Sequence, residues 1–314
     1  MGVTWSQFFP PKPTFSTKDV PDLTGQVMLV TGGSSGIGKE LVKVLLEHNA
    51  KVYIAGRAET TKRAIVELKA ETGKEAEFLE MDLADLVSVK RAAETFRSQE
   101  PHLNVLFNNA GVMRTPLEMI TEQGYDLQFG VNVLAHFYLT TLLLPTLEAT
   151  ATASARAARI VHTSSLLQVH TPPKFDMDTL KTGEGALAKR TKVGTSELYI
   201  QSKFGNAVLS EELHRRYADK GIVSVAINPG NINSNLARHW KLSPVAEKLL
   251  RMLLYPLPYG ALTPLYAGTT RDGELLGGKF LFPWARLGEV PPSVKAPENG
   301  ETLWKWCEEQ VAAI

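Results

Sequence analysis

Residues 27–38 read VMLVTGGSSGIG, and no other stretch limits the fold as tightly. An apolar, β-branched run over 26–30 enters a turn at Thr31-Gly32, and Gly36 and Gly38 open a helical pattern over 36–48. So tight a turn needs glycine, and bare backbone lets a bulky anion come close. The helix start adds orphan N–H groups and the positive end of a dipole. Spaced glycines alone are weak evidence. Here they lie between a strand and a helix at the start of a strand–helix–strand unit, the context that a pyrophosphate-binding turn requires. The alternative is a plain strand–turn–helix corner.

The same rhythm continues downstream. Strand patterns at 51–55, 77–81, 104–107, 159–163 and 223–227 alternate with helical patterns at 59–72, 86–99, 120–148 and 196–219, and a last strand is expected at 278–282. This alternation calls for a parallel sheet covered on both faces: a doubly wound α/β domain of seven mostly parallel strands over residues 25–314. Residues 1–24 are expected to form an irregular arm. Pro10, Pro11, Pro13 and Pro21 oppose regular structure there, while Trp5, Phe8, Phe9 and Phe15 could pin it to the body. Two regions interrupt the rhythm. Residues 166–198 read as a long loop excursion, and 236–266 as a cap that includes an apolar helix candidate at 245–255.

The ionic composition narrows the partners. Thirty-four basic against 33 acidic residues give no electrostatic footprint for nucleic acid. A single cysteine, Cys307, excludes an intramolecular disulfide framework and fits a reducing compartment, so the expected location is the cytoplasm. The seven histidines show no metal spacing, and no metal is expected. No signal peptide is expected, because residues 8–13 read FFPPKP. Residues 249–268 are apolar, but Arg251, Pro256, Pro258 and Pro264 make them a poor transmembrane span. Met1-Gly2-Val3-Thr4-Trp5-Ser6 matches the short myristoylation pattern, which allows peripheral membrane contact.

After the strand at 51–55 comes Gly56-Arg57 and no carboxylate. An acid there would hold a ribose 2′-hydroxyl, whereas a guanidinium pairs with a 2′-phosphate. NADP(H) is therefore favoured over NAD(H), with Ser34, Ser35 and Lys39 as further candidates for the same phosphate. The alternative is that Arg57 is only a solvated surface charge.

TGGSSGIG, then NNAG at 108–111, then Tyr199-Ile200-Gln201-Ser202-Lys203 come in an order and spacing that resemble the short-chain dehydrogenase/reductase family. VNVLAHF at 131–137, the long serine-to-tyrosine segment and GKFLFPWARLGE at 278–289 are most similar to its retinol-dehydrogenase-like branch and fungal oxidoreductase relatives. The resemblance covers about residues 25–285. It implies a Rossmann fold, hydride transfer, and a catalytic tetrad of Asn132, Ser165, Tyr199 and Lys203. It also implies a cofactor cleft lined by Gly32, Ser34, Ser35, Gly36, Ile37, Gly38 and Arg57. Asp82 and Leu83 would lie at the adenine, and Asn109, Ala110 and Gly111 along the cleft. Pro229, Gly230 and Ile232 would lie beside the nicotinamide, with Tyr199 and Lys203 also touching the cofactor. Many members carry a threonine shortly after Pro-Gly. Here Asn233 or Ser234 would have to replace it.

Tyr199 and Lys203, four apart on a helix, share one face. A free tyrosine titrates near pH ~10, so a neighbouring ammonium is expected to lower it and make a tunable acid/base. Ser165 follows the strand at 159–163, where an open α/β sheet binds ligands, and its hydroxyl can hold a substrate oxygen. Ser164 is the alternative. Asn132 is assigned by the resemblance to a water-mediated proton relay; the alternative is a side chain satisfied by local backbone. Asn108 and Asn109 could likewise serve only to tie strands together.

The expected reaction interconverts a carbonyl and an alcohol. Leu249, Leu250, Met252, Leu253, Leu254 and Tyr255 suggest an apolar wall and hence an apolar or aromatic substrate. They could equally form a core face, a contact between identical subunits or a lipid-facing strip. A dehydratase or cyclase with NADP as structural cofactor is the competing reading.

Overall fold

The computed structural model of the chain describes residues 2–167, 174–234, 236 and 253–314. Eight strands form one sheet in the order β3-β2-β1-β4-β5-β6-β7-β8. They are β1 (Val27–Thr31), β2 (Lys51–Gly56), β3 (Glu77–Glu80), β4 (Val105–Asn108), β5 (Ala158–Thr163), β6 (Ile222–Ile227), β7 (Phe280–Phe282) and β8 (Arg286–Gly288). Strands β1 to β7 run parallel, and β8 turns back antiparallel to β7, pairing Leu281 with Leu287. The expected count of seven is thus corrected to eight. Three residues with an exposed Leu287 are too few for an alternation to show in sequence.

The strand order reverses between β1 and β4: β2 pairs with β1 on one side from Val27↔Lys51 onward, and β4 pairs with it on the other, Met28 with Val105. That switch point opens a crevice beyond the carboxyl ends of β1 and β4. β1 shows why the sheet must be covered twice. Val27 and Leu29 belong to one core and Met28 and Val30 to the other, so successive side chains feed opposite faces.

The first core lies under α4 (Leu86–Gln99), α6 (Ala135–Ser154), α8 (Thr195–Tyr217) and α11 (Pro297–Val311). The second lies under α2 (Gly36–Glu47), α3 (Ala58–Thr72) and α9 (Leu257–Thr269). Phe96, Phe107, Phe129, Phe137 and Phe204 are fully buried between them. Each such ring contributes roughly 2–3 kcal/mol of transfer free energy. Local signals start and stop the helices where the chemistry demands. Asp85 caps α4 by accepting from Val87 N, and Gly73 ends α3 at φ 70°.

The helix expected at 120–148 begins later, at Leu127. Asp126 turns the chain there and accepts from Phe129 N. A short α5 (Leu127–Phe129) passes through a π-turn (Gly130–Leu134) into α6. The continuous stretch Leu127–Ser154 is long and apolar enough to cross a membrane, yet 89% of its apolar window is buried in the fold. It is a core helix.

The expected irregularity of residues 1–24 is corrected in part. A helix, α1 (Gly2–Phe8), precedes the prolines, and a 3-10 turn (Thr17–Asp19) follows them. Trp5, Phe8 and Phe9 are exposed; Phe15 is buried edge-on against Tyr266. Gln7 is also buried, where its Oε1 accepts from Asn228 Nδ2 at 2.8 Å, and Arg286 donates to Ser6 O at 2.7 Å. In the long excursion, a 3-10 turn (Met177–Thr179) and α7 (Ala186–Val193) replace part of the expected loop. Most of the helix candidate at 245–255 lies outside the described residues, including Leu249, Leu250 and Met252. Of the rest, Leu253 is exposed, and Tyr255 packs on Trp284 with ring centroids 5.1 Å apart. A four-residue α10 (Pro292–Lys295) leads into α11.

Candidate active site

The carboxyl ends of β1, β4, β5 and β6 converge on the crevice. At β1, Gly32 and Gly36 adopt φ +67° and +56°, a region that costs a side chain steric strain. A Cβ on Gly38 would stand 2.3 Å from Gly32 O and 2.6 Å from Asn109 Nδ2, so the first turn of α2 lies directly on the end of β1. Ser35 occupies the N-cap position but makes no side-chain cap bond, and the first turn holds no acid. The helix start therefore keeps its dipole uncompensated by its own side chains. Ser34 and Ile37 are half-buried beside it.

Arg57 stands exposed at the end of β2, where it occupies the N-cap position of α3. Lys39, a further phosphate candidate, is engaged elsewhere. It pairs with Glu67 of α3 at 2.6 Å and bridges two helices. Asp82 is exposed beyond β3, its Oδ1 accepting from Ala84 N, and Leu83 is half-buried against the core.

At β4 the two asparagines differ. Asn109 donates from Nδ2 to Thr31 O and from its backbone to Thr31 Oγ1, both at 3.0 Å, so it does tie β4 to β1. Asn108 reaches instead to Thr140 Oγ1 on α6. Ala110 N also donates to Thr31 Oγ1 at 3.0 Å. A Cβ on Gly111 would lie 3.2 Å from Asn132 Oδ1 and 3.5 Å from Lys203 Nζ, so this loop packs closely against both side chains.

At β6, Gly230 has φ +92° and rests on Trp284, which a Cβ would meet at 2.7 Å. Pro229 is buried beside it. Ile232 bridges to Tyr255, and Ser234 Cβ lies 3.7 Å from where a Cβ on Gly36 would be. The run 229–234 thus faces the glycine turn across the crevice.

Tyr199 and Lys203 project from α8 and are almost completely buried. Lys203 Nζ lies 5.7 Å from the centre of the Tyr199 ring and donates to Thr163 O at 2.8 Å. The Ser165 side chain is placed to act on the Tyr199 hydroxyl, where it favours the phenolate. Ser164 turns away and gives its proton to Lys203 O at 2.7 Å. The two serines therefore divide: Ser164 anchors α8 and Ser165 acts on the phenol.

The expected acidification of Tyr199 is corrected. Burial raises the phenol above its ordinary value. The Ser165 hydrogen bond and the Arg114 charge offset this only partly. The amine pays the same penalty in the opposite sense: burial lowers Lys203 from 10.5 to about 7. At neutral pH the phenol is protonated and the amine is near its midpoint.

Asn132 sits in the π-turn. Its Oδ1 accepts from Val112 N at 2.9 Å, and its Nδ2 donates to Val112 O and to Ser202 Oγ. The carboxamide is thus satisfied by the neighbouring loop and by α8. Four residues earlier, buried Gln128 does similar work. Its Oε1 accepts from Arg114 N at 2.6 Å and its Nε2 donates to Thr195 O at the start of α8. These two amides clamp residues 112–114 over Tyr199. Gln128, Arg114 and Thr31 are not among the sequence-derived candidates. The i,i+4 spacing of Gln128 and Asn132 was visible. The placement of Arg114, which depends on a left-handed φ of 50°, was not.

Comparisons with known proteins identify the family and the fold. A family model described as short chain dehydrogenase matches residues 26–176. Two short-chain dehydrogenases/reductases of Armillaria gallica are 51% and 50% identical over 314 residues, covering 99% of this chain and of each relative. This chain belongs to the short-chain dehydrogenase/reductase family. An oxidoreductase of Schizosaccharomyces pombe in the same family range is 36% identical over 88% of the chain and 82% of that protein. Among solved structures, an uncharacterised protein of Mycobacterium paratuberculosis superposes with a TM-score of 0.71 at 26% identity, covering 95% of this chain and 97% of that one. A Pseudomonas aeruginosa RhlG/NADP active-site complex follows at 0.65 and 27%, covering 87% and 97%. The dehydrogenase/reductase assignment and the Rossmann architecture therefore stand on the sequence family and the fold together.

Proposed function

We propose that this short-chain dehydrogenase/reductase interconverts a carbonyl and an alcohol on an apolar or aromatic small molecule, using NADP(H). The observation that carries the reading is the buried Tyr199–Lys203 pair, with Nζ 5.7 Å from the phenol ring and bonded to Thr163 O at the end of β5, where Ser165 acts on the phenol. The crevice residues fit a dinucleotide. The glycine turn offers left-handed backbone and an uncapped helix start for a pyrophosphate, and Gly230 leaves room where a Cβ would collide with Trp284. Arg57 at the end of β2 is suited to a 2′-phosphate. That NADP accompanies the RhlG structure points the same way.

When bound, the dinucleotide supplies or accepts the hydride. The chain manages the oxygen and its proton. Ser165 donates a hydrogen bond to the substrate oxygen and stabilises charge as it develops there. The high phenol pKa keeps Tyr199 protonated until an alkoxide forms, so Oη gives up its proton only to a strongly basic oxygen. The phenolate left behind keeps the Ser165 hydrogen bond and faces the charges of Arg114 and Lys203. Lys203 Nζ, with a pKa of about 7, takes up or releases a proton near neutrality. Exposed Leu253 and the Tyr255–Tyr259–Trp284 aromatic group supply the apolar side.

The test is NADPH oxidation across a panel of apolar ketones and aldehydes, followed at the nicotinamide absorbance. Wild type turns over at least one aromatic ketone, and Tyr199→Phe loses about 10²–10⁴-fold in kcat while binding NADPH within about threefold of wild type. Full turnover by the variant, or none by wild type, refutes the proposal.

A further inference from the structure

His136 opens α6, lies wholly buried behind the site, and has no part in the reaction as described. Both ring nitrogens are engaged. Nδ1 lies 3.0 Å from the Asn132 carbonyl oxygen in the π-turn. Nε2 lies 2.9 Å from Thr31 Oγ1, one residue before the glycine turn.

The protons on this path can be assigned. A carbonyl only accepts, so Nδ1 carries hydrogen. Thr31 Oγ1 already accepts from Asn109 N and Ala110 N, each at 3.0 Å. Its own proton is then available to Nε2, which is closer than its other acceptor, Phe107 O at 3.3 Å. A second ring proton would set a third N–H against an oxygen that holds two. The arrangement closes only with a neutral, Nδ1-protonated imidazole. Burial favours that form, bringing the ring to about 4, and the charged group acting on it, Lys203, favours it further. The other titratable ring in the same core, His162, is likewise held neutral by burial.

The path therefore runs without a break from the NNAG backbone, through Thr31 and His136, to Asn132, whose side chain holds Val112 and Ser202. It joins the end of β1, the end of β4, the π-turn and the catalytic helix. π-turns commonly mark functional positions, and this one is held by a side chain four residues on. We propose that His136 is a positioning residue that fixes the glycine turn relative to Asn132 and α8, with Nε2 serving the nucleotide half of the site and Nδ1 the catalytic half. The proposal rests on the hydride-transfer reading above.

The two nitrogens can be separated by substitution. His136→Asn keeps a donor near the Nδ1 position, His136→Gln keeps a polar group near Nε2, and His136→Leu keeps neither. The readouts are the NADPH dissociation constant by fluorescence, and kcat for the aromatic ketone that wild type reduces fastest. Loss of one buried hydrogen bond should cost about tenfold in the parameter it serves. The Leu variant is expected to lose in both. The Gln variant should recover NADPH binding to within about threefold but not kcat, and the Asn variant the reverse. Wild-type values in all three variants would overturn the proposal. So would Asn and Gln variants as impaired as Leu in both parameters, since that is the behaviour of plain packing. Nitrogen-15 NMR of wild type is expected to show His136 neutral and protonated on Nδ1 at neutral pH; an Nε2-protonated or doubly protonated ring would also overturn it. If wild type reduces no ketone, the proposed function fails, while NADPH binding and the NMR tautomer still decide the role of His136.

Discussion

Replacing Lys203 by methionine should abolish turnover and yet stabilise the nucleotide-free protein. Burial lowers the amine from 10.5 to about 7. A shift of that size corresponds to about 5 kcal/mol of disfavoured charge. Methionine fills a similar volume without the charge. The hydrogen bond from Nζ to Thr163 O is lost, but that carbonyl still accepts from Asn206 Nδ2 at 3.0 Å, so it is not orphaned. This offsets about 1 kcal/mol. Below about pH 7 both the folded and unfolded chains carry the proton, and wild type bears the full cost of the buried charge. Between about pH 7 and 10.5 the unfolded chain binds a proton that the folded chain does not, so wild-type stability rises with pH. Lys203→Met should therefore exceed wild type by about 3–4 kcal/mol at pH 6. The advantage should shrink by about 2 kcal/mol between pH 7 and pH 9. Urea unfolding of both proteins at pH 6, 7 and 9, followed by tryptophan fluorescence, measures this. A difference that does not vary with pH, or a variant less stable than wild type at pH 6, would refute the reasoning.

Arg57→Ala should weaken NADPH binding by about 10–100-fold, the value of a charge-assisted phosphate contact, while NADH binding changes less than about threefold; parallel titrations decide it. Gly38→Ala forces a Cβ to within 2.3 Å of Gly32 O. The backbone must shift, at a cost of about 1–3 kcal/mol. NADPH affinity should fall at least about tenfold in calorimetry, and an unchanged dissociation constant would contradict the packing described.

The glycine turn, the parallel strands and the Tyr199–Lys203 pair were legible because each is a local pattern. Glycine spacing, hydrophobic alternation and an i,i+4 interval need no knowledge of distant neighbours. What escaped was set by tertiary context. The apolar run suggested a helix from 120, but Met119 and Ile120 are exposed, and Asp126 starts the helix at Leu127. The phenol of Tyr199 was expected to follow the nearest charge. Instead burial outweighs Ser165 and the Arg114 charge, while the Lys203 amine is itself near its midpoint and bonded to Thr163. The division of labour between Ser164 and Ser165 depends on which way each faces off the end of β5. The bridging role of His136 needs β1, β4 and the π-turn to be brought together first.

The amino terminus carries a consequence for how the chain is built. Gln7 completes the hydrogen bonding of Asn228, which immediately precedes Pro229-Gly230, and Ser6 is held by Arg286. Gln7 and Ser6 thus meet partners more than two hundred residues away along the chain. A disturbance at this helix is therefore felt at Gly230, whose backbone N–H donates to the same Asn228 side chain that Gln7 holds.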